Sequence, residues 1–166
     1  MSPESLDLGD LDKFAVGTRG PIGRRVFLLQ LRCGGLEVTL KAEKQQVAVL
    51  AEYLGRLLTE IGSSADQGEP IDLDEPAEPR FVIGALGVGY DDARDRIVLL
   101  AEELVPEGED GDSTRFAVTR EQASAFAKAA ASLVAAGRPA CPMCGLPLDP
   151  EGHECPRTNG HRAPKA

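Results

Sequence analysis

Two amphipathic helices with the same apolar pattern are predicted 76 residues apart in the chain. The apolar positions recur at steps of three and four residues, which places them on one face of an α-helix. They are Val47, Leu50, Leu54, Leu57 and Leu58 in the first helix, and Ala123, Phe126, Ala130, Leu133 and Val134 in the second. Because each helix can bury this face only against another element, the pair limits the folds available to the chain.

Three short apolar segments precede each of these helices and predict three strands. The segments are 14–18, 25–33 and 36–40 before the first helix, and 81–84, 96–100 and 115–118 before the second. The pair Gly34-Gly35 supplies the positive φ angles that a tight hairpin needs. The offset between similar segments grows from 67 to 71 residues at the strands and to 76 in the helices, and each change falls in a predicted loop. Internal duplication explains this shared order better than chance similarity among apolar segments, which is the alternative.

We therefore predict an α+β fold, in which two tandem βββα repeats form a pseudo-twofold body with a largely antiparallel sheet and two helices. Repeat one covers residues 13–62 and repeat two covers residues 80–137. Residues 1–12 carry four acids and no base, and are predicted to form a flexible lead-in. Residues 63–79 contain six acids and three prolines, which predicts an exposed acidic linker. Residues 138–166 form a separate tail.

Both helices carry sequence signals at their ends. Thr119 with Gln122 three residues later predicts a capping box at the start of the second helix. Gly62 is placed to end the first helix, and Gly137, followed by Pro139, is placed to end the second.

Composition and charge exclude several classes of protein. The chain has 166 residues with a formal net charge of −9, which argues against a large interface with a nucleic-acid backbone. Its 42% hydrophobic content is enough for a packed core. No apolar run approaches the roughly 18 residues of a membrane helix, and the N-terminus is polar and acidic. We therefore expect a cytoplasmic protein with no membrane partner.

The strongest chemical signal is a cluster of cysteine and histidine residues in the tail. Cys141 and Cys144 form a Cys-x-x-Cys pair, and His153 and Cys155 follow after a short spacer. Three thiolates and one imidazole suit tetrahedral Zn²⁺, and four protein ligands close the site, which predicts structural zinc. His161 is the alternative fourth ligand, and redox chemistry at the Cys-x-x-Cys pair is the competing interpretation.

The remaining cysteine, Cys33, lies far from this cluster in an apolar stretch. Free cysteine is among the most often buried residue types. We therefore expect Cys33 to pack in the body.

No convincing catalytic set stands out in the sequence. The glycines of Gly84–Gly89 are followed by a predicted strand, whereas a dinucleotide-binding motif needs a helix there, so a bent or closely packed strand is favoured. We therefore predict a non-enzymatic zinc-binding adaptor or regulatory binding protein. The alternative is a hydrolase or phosphoryl-transfer enzyme with Arg24, Arg25, Glu43 and Glu121 in a groove between the repeats. Nucleic-acid binding through the tail is a third interpretation, which the acidic body disfavours.

Three motifs carry a resemblance to a known family. They are Glu43-Lys-Gln-Gln46, Ala135-Ala-Gly-Arg-Pro139, and the tail from Cys141-Pro-Met-Cys-Gly145 through His153-Glu-Cys-Pro-Arg-Thr-Asn-Gly160. On these motifs the chain resembles an actinobacterial family of two-repeat proteins of unknown function. The family's tail pattern contains the pair matched here by His153 and Cys155, which favours His153 over His161. The family is similar to proteins that are encoded beside a histidine-phosphatase-like enzyme and a kinase-like protein, so the resemblance implies a protein partner.

Overall fold

The computed structural model describes residues 2–21, 23–63, 68–75 and 78–136. This part of the chain forms one seven-stranded sheet and two α-helices. The strands are β1 (Ser5–Asp10), β2 (Lys13–Arg19), β3 (Val26–Cys33), β4 (Leu36–Ala42), β5 (Phe81–Asp91), β6 (Arg96–Glu103) and β7 (Ser113–Val118). The helices are α1 (Lys44–Glu60) and α2 (Arg120–Ala135). Across these ranges, neither helix is long and apolar enough to cross a membrane.

The sheet has the strand order β1-β7-β6-β5-β4-β3-β2. The pairs β1–β7 and β4–β5 are parallel, and every other pair in this order is antiparallel. The predicted α+β class with a largely antiparallel sheet and two helices is therefore confirmed.

The two ends of this strand order meet at a bend between β1 and β2. At the bend, Leu11 N donates to the carbonyl oxygen of Ala117 in β7 at 2.9 Å. The next amide, Asp12 N, donates to the carbonyl oxygen of Arg32 in β3 at 2.8 Å. Because consecutive residues bind strands β7 and β3, the sheet curves back on itself and encloses the core.

Strand β5 changes partner in the same way. Its first residues pair in parallel with β4, with Phe81 opposite Leu40. The register then shifts between Ile83 and Ala85, and the rest of β5 pairs antiparallel with β6. A Cβ at Gly84 would lie 2.7 Å from the Cα of Leu104, so no side chain fits at this shift. The predicted close packing at this glycine is confirmed.

One hydrophobic core joins the sheet to both helices. The predicted helical stripes face it, since Leu50 and Leu54 of α1 and Phe126 of α2 are buried. Phe126 stacks on Phe14 of β2 with ring centroids 4.1 Å apart and planes within 1°. Phe116 of β7 completes this aromatic cluster, 5.4 Å from Phe14. These three rings close the seam between α2 and β2.

The helix ends agree with the sequence prediction where the structure describes them. Thr119 Oγ1 accepts a hydrogen bond from Gln122 N at 3.1 Å, and Thr119 N donates to Gln122 Oε1 at 2.9 Å. Gly62 follows the last turn of α1 with a φ of 79°, which a glycine adopts without strain. Gly137 and Pro139 lie outside the described residues.

Strand β1 occupies residues that the sequence analysis predicted to be flexible. Ser5–Asp10 pairs in parallel with β7, and Leu8 is buried in the core. The carboxylate of Asp10 points outward and lies 2.8 Å from an Arg94 nitrogen. The predicted flexible N-terminus, residues 1–12, therefore differs from the structure. The leucines of this segment alternate with polar residues, and the strand covers an edge of β7 that would otherwise be unpaired.

Candidate functional site

The predicted zinc ligands Cys141, Cys144, His153 and Cys155 lie outside the described residues, as does the alternative ligand His161. Zinc binding by these side chains therefore stays a prediction. Within the ranges that the structure describes, no three His, Cys, Asp or Glu side chains are grouped so as to hold a metal ion.

Cys33 packs in the body, as expected. Its side chain is partly buried against the hydrophobic core, and its thiol donates to the carbonyl oxygen of Leu8 at 2.9 Å. This contact fixes β3 to β1.

The four residues of the predicted enzymatic alternative lie at or just before the starts of β3, α1 and α2. Arg24, Glu43 and Glu121 are exposed and Arg25 is half-buried. Glu43 precedes α1, and Glu121 lies in the first turn of α2. A negatively charged side chain at either place is stabilised by the positive end of the helix dipole. None of the four side chains lines the open groove described next.

An apolar groove of about 360 Å³ lies between α1 and β5. Its lining comprises Gln45, Gln46, Val49, Leu50, Tyr53, Gly84, Leu86 and Val88. The helix wall comes from residues about one turn apart, and the strand wall comes from alternate residues of β5. Val49 and Tyr53 remain 54% and 43% exposed at the rim. The volume is in the range of sites that hold a small molecule or a short peptide segment.

The polar groups of this groove serve mainly to hold its walls together. Gln46 Nε2 donates to the carbonyl oxygen of Ile83 at 2.9 Å, and its Oε1 accepts from Glu43 N at 2.8 Å. The amide of Gln46 therefore links the start of α1 to β5. With the phenol of Tyr53 as its one titratable lining group, the groove is suited to apolar binding and poorly suited to acid–base catalysis.

A second groove, between α2 and β2, is partly covered by the chain itself, and residues 70–73 form part of its lining. Residues 68–75 lie across it, and both ends of the contact involve a glycine. A Cβ at Gly68 would lie 2.6 Å from the carbonyl oxygen of Glu121 in α2. A Cβ at Gly17 of β2 would lie 2.5 Å from Leu73 Cδ1. Because these two glycines have no side chain, the segment can approach both walls closely.

Asp74 anchors this segment to the outer face of β2 and β3. Lys13 Nζ donates to Asp74 Oδ2 and to Gln30 Oε1, both at 2.8 Å. Arg32 forms a second ion pair with the same carboxylate. The hydrogen bond from Lys13, followed by that from Arg32, holds the pKa of Asp74 below its usual range.

The interpretation of residues 63–79 as an exposed linker therefore holds only in part. Most side chains of residues 68–75 are exposed, but the segment packs on α2 and β2 and neutralises Lys13, a lysine that is only 6% exposed. A buried ammonium group needs a charged partner. Lys13 at the start of an apolar strand was the available signal for this ion pair.

Arg120 links the two halves of the body in a second polar cluster. Its Nε donates to Asp95 Oδ1 at 2.7 Å, and one terminal nitrogen donates to the carbonyl oxygen of Ile61 at 3.0 Å. Tyr90 donates to the same Asp95 oxygen at 2.6 Å, and this hydrogen bond raises the pKa of the phenol. These contacts fix the end of α1 to the turn between β5 and β6, which is a structural role.

The comparisons with known proteins give one family. Its model, described as "Protein of unknown function (DUF3090)", matches residues 7–155. The searches found no similar curated protein and no similar solved structure. The matched range includes every strand but the start of β1, both helices, and the tail as far as Cys155. The chain therefore belongs to the DUF3090 family of proteins of unknown function.

Proposed function

We propose that this protein is a non-enzymatic zinc-binding adaptor or regulatory binding protein. In this proposal an α+β body presents binding surfaces, and a structural zinc ion folds the C-terminal tail. The observation that carries the proposal is the chemistry of the α1–β5 groove. Its rim residues Val49 and Tyr53 are apolar or amphipathic, and no pair of titratable side chains faces into it. Such a groove supplies binding energy without the groups that catalysis requires.

The body is proposed to be a duplication of one βββα unit, and the strand registers support this. Val16 pairs with Leu29, and Leu29 pairs with Leu40. In the second half, Val88 pairs with Leu99, and Leu99 pairs with Phe116. The two rows cross the sheet in the same order, so Val16 corresponds to Val88, Leu29 to Leu99, and Leu40 to Phe116.

This register differs from the offsets of 67 and 71 residues that the sequence alone suggests. The offset of 71 would align Leu29 with Leu100. Leu29 is 1% exposed and Leu100 is 36% exposed, whereas Leu99 is fully buried. A shift of one residue moves a side chain to the opposite face of a strand, so burial supports Leu99 as the counterpart.

The helix starts support the same correspondence. Gln46 in the first turn of α1 donates to the carbonyl oxygen of Ile83, close to the partner change in β5. Gln122 in the first turn of α2 donates to the carbonyl oxygen of Leu11, at the bend between β1 and β2. Each glutamine therefore fastens the start of its helix to the backbone at a point where the sheet changes strand partner.

The proposed zinc ligands are Cys141, Cys144, His153 and Cys155. Their thiolates and imidazole form a complete tetrahedral set, which leaves no open position for a catalytic water. Metal analysis of the full chain tests this assignment. We expect one zinc ion per chain in the wild type and loss of zinc in Cys144→Ser and His153→Ala.

Cys33→Ser is the matched control, because it removes a thiol that binds Leu8 in the body. This variant should keep its zinc. Loss of metal in His161→Ala with retention in His153→Ala would contradict the proposed ligand set.

The proposed partner is another protein, with the histidine-phosphatase-like and kinase-like neighbours implied by the resemblance as first candidates. Affinity purification and gel filtration at several salt concentrations test this proposal. We expect a stoichiometric complex that survives moderate salt, since apolar contacts are screened little by ions. Absence of any such complex with either candidate or in extracts would contradict the adaptor role.

A further inference from the structure

We propose that the α1–β5 groove is the docking site for the tail of the same chain, namely residues 146–149 (Leu-Pro-Leu-Asp). The inference uses the duplication proposed above and goes beyond the adaptor role, because it assigns the occupant of the groove. A second copy of the chain and a segment of another protein are the competing occupants.

The groove of the first half, between α2 and β2, shows which kind of segment such a groove can hold. After α1 ends, residues 68–73 cross over to the other half and lie against α2 and β2. There Gly68 contacts Glu121 and Ala125, and Leu73 lies over Gly17. The segment that follows one helix therefore covers the groove of the other half.

No described residue covers the corresponding positions of the second groove. Glu121, Ala125 and Ala129 of α2 correspond to Gln45, Val49 and Tyr53 of α1, and Val16 and Gly17 of β2 correspond to Val88 and Gly89 of β5. Val49 and Tyr53 are among the most exposed large apolar side chains of the described ranges. A Cβ at Gly89 would meet no described atom within 4 Å, whereas one at Gly17 would overlap Leu73. The second groove has the walls of the first without its cover.

The apolar residues at corresponding positions are smaller in the second half. Phe14 and Phe126 stack at 4.1 Å in the core, where α2 packs on β2. Their counterparts in the second groove are Leu86 and Leu50, which both line it. Replacing two stacked rings by two leucines leaves room for an additional apolar side chain.

The tail contains a sequence similar to that of the covering segment, at a similar distance after the preceding helix. Pro70-Ile71-Asp72 begins ten residues after the last residue of α1, and all three residues line the covered groove. Pro147-Leu148-Asp149 begins twelve residues after the last residue of α2. The intervening residues can span roughly 35 Å when extended, and α1 packs directly on α2. This Pro-apolar-Asp sequence favours the tail over a second copy or a partner.

Docking would also connect the groove to the proposed zinc site. The docked residues 146–149 lie in the sequence between the ligand pair Cys141 and Cys144 and the ligand pair His153 and Cys155. A zinc ion joining the two pairs would close a loop around the docked segment. Metal binding and docking would then stabilise each other, because each reduces the conformational entropy that the other must overcome.

The experiment uses tryptophan fluorescence in the full chain, which contains no natural Trp. Tyr53→Trp places the reporter at the rim of the groove. Leu148→Asp is added to disrupt docking, and Leu36→Asp is the matched control at an exposed leucine at the start of β4. We expect Leu148→Asp to shift the emission to longer wavelength and to increase acrylamide quenching, and Leu36→Asp to change neither.

Three outcomes would overturn the inference. The first is identical emission and quenching with and without Leu148→Asp. The second is shielding of the tryptophan that disappears on dilution, which would assign the groove to a second copy. The third is an equal response to Leu36→Asp. Zinc content is measured on the same samples, so a metal-free chain with a shielded tryptophan would contradict the zinc proposal while it supports docking.

Discussion

Replacing Phe126 by Leu should destabilise the protein, whereas replacing Leu50 by Phe should change its stability little. The two residues correspond to each other in the proposed duplication, and both are buried. Phe126 is packed in the core and stacks on Phe14 at 4.1 Å. Leu50 lies at the base of an open groove of about 360 Å³. The same exchange of ring and leucine is therefore made in two different environments.

The magnitude follows from the contacts that each substitution changes. Phe126→Leu loses an aromatic pair, worth about 0.5–1.5 kcal/mol beyond its buried area. It also leaves a few tens of Å³ unfilled, which costs about 0.5 kcal/mol at roughly 24 cal/mol per Å³. The expected loss of unfolding free energy is about 1–2 kcal/mol. Leu50→Phe adds a ring where the described residues leave space, so the overpacking cost of about 1–3 kcal/mol in closed cores should not apply, and the buried ring would offset the apolar contacts of the proposed tail segment that it displaces.

Urea unfolding of the full-length variants, followed by circular dichroism, measures both effects. The midpoint should fall for Phe126→Leu with an unchanged m-value, because the surface exposed on unfolding is nearly the same. Leu50→Phe should shift the unfolding free energy by less than about 1 kcal/mol. A larger destabilisation by Leu50→Phe than by Phe126→Leu would refute the description of a packed aromatic pair at Phe126 and an open groove at Leu50.

Two further predictions concern the segment 68–75. Because the pKa of Asp74 is lowered in the folded protein, the ionised carboxylate contributes fully to stability at pH values above the usual pKa of an aspartate. This contribution is lost as the pH falls through the lowered pKa. Asp74→Asn should therefore reduce the loss of stability on acidification below about pH 4 in urea titrations, and an unchanged acid profile would contradict the ion pairs. Gly17→Ala would place a Cβ against Leu73, which should cost about 1–2 kcal/mol and increase hydrogen exchange in the segment. Gly87→Ala is its control, because the added Cβ would make only an ordinary contact at 3.9 Å, and equal exchange in both variants would count against the packing of Leu73.

Local patterns in the sequence were sufficient to predict most of the secondary structure. Apolar periodicity predicted both helices, and the pair Thr119 and Gln122 predicted the start of α2. Apolar segments separated by turn residues gave six strands, although the segment 81–84 was only the first part of β5. These features depend on neighbours in the chain, so they can be predicted without the tertiary structure.

Features that depend on distant partners were not predicted. The strand β1 has only two leucines among acids, and its pairing with β7 is a tertiary contact. The position of residues 68–75 depends on Lys13 and Arg32, which need a counter-ion on the folded surface. Composition alone therefore indicated an exposed linker.

The open groove could not be predicted because its two walls come from α1 and β5, which are far apart in the chain. In the proposed duplication, Leu86 and Leu50 take the places of Phe14 and Phe126. In the proposed duplication, the strand offsets read from the sequence differ from those that the strand pairing favours, because short apolar segments match in more than one register. Strand pairing across the sheet supplies the register that these segments lack.

X-ray absorption at the zinc edge of the purified full-length protein tests the proposal that a closed zinc site folds the tail. We expect one zinc ion per chain with three sulfur ligands at about 2.3 Å and one nitrogen ligand at about 2.0–2.1 Å. A spectrum with a water oxygen in the first coordination sphere, or with no sulfur ligands, would contradict a closed structural site and the adaptor role that depends on it.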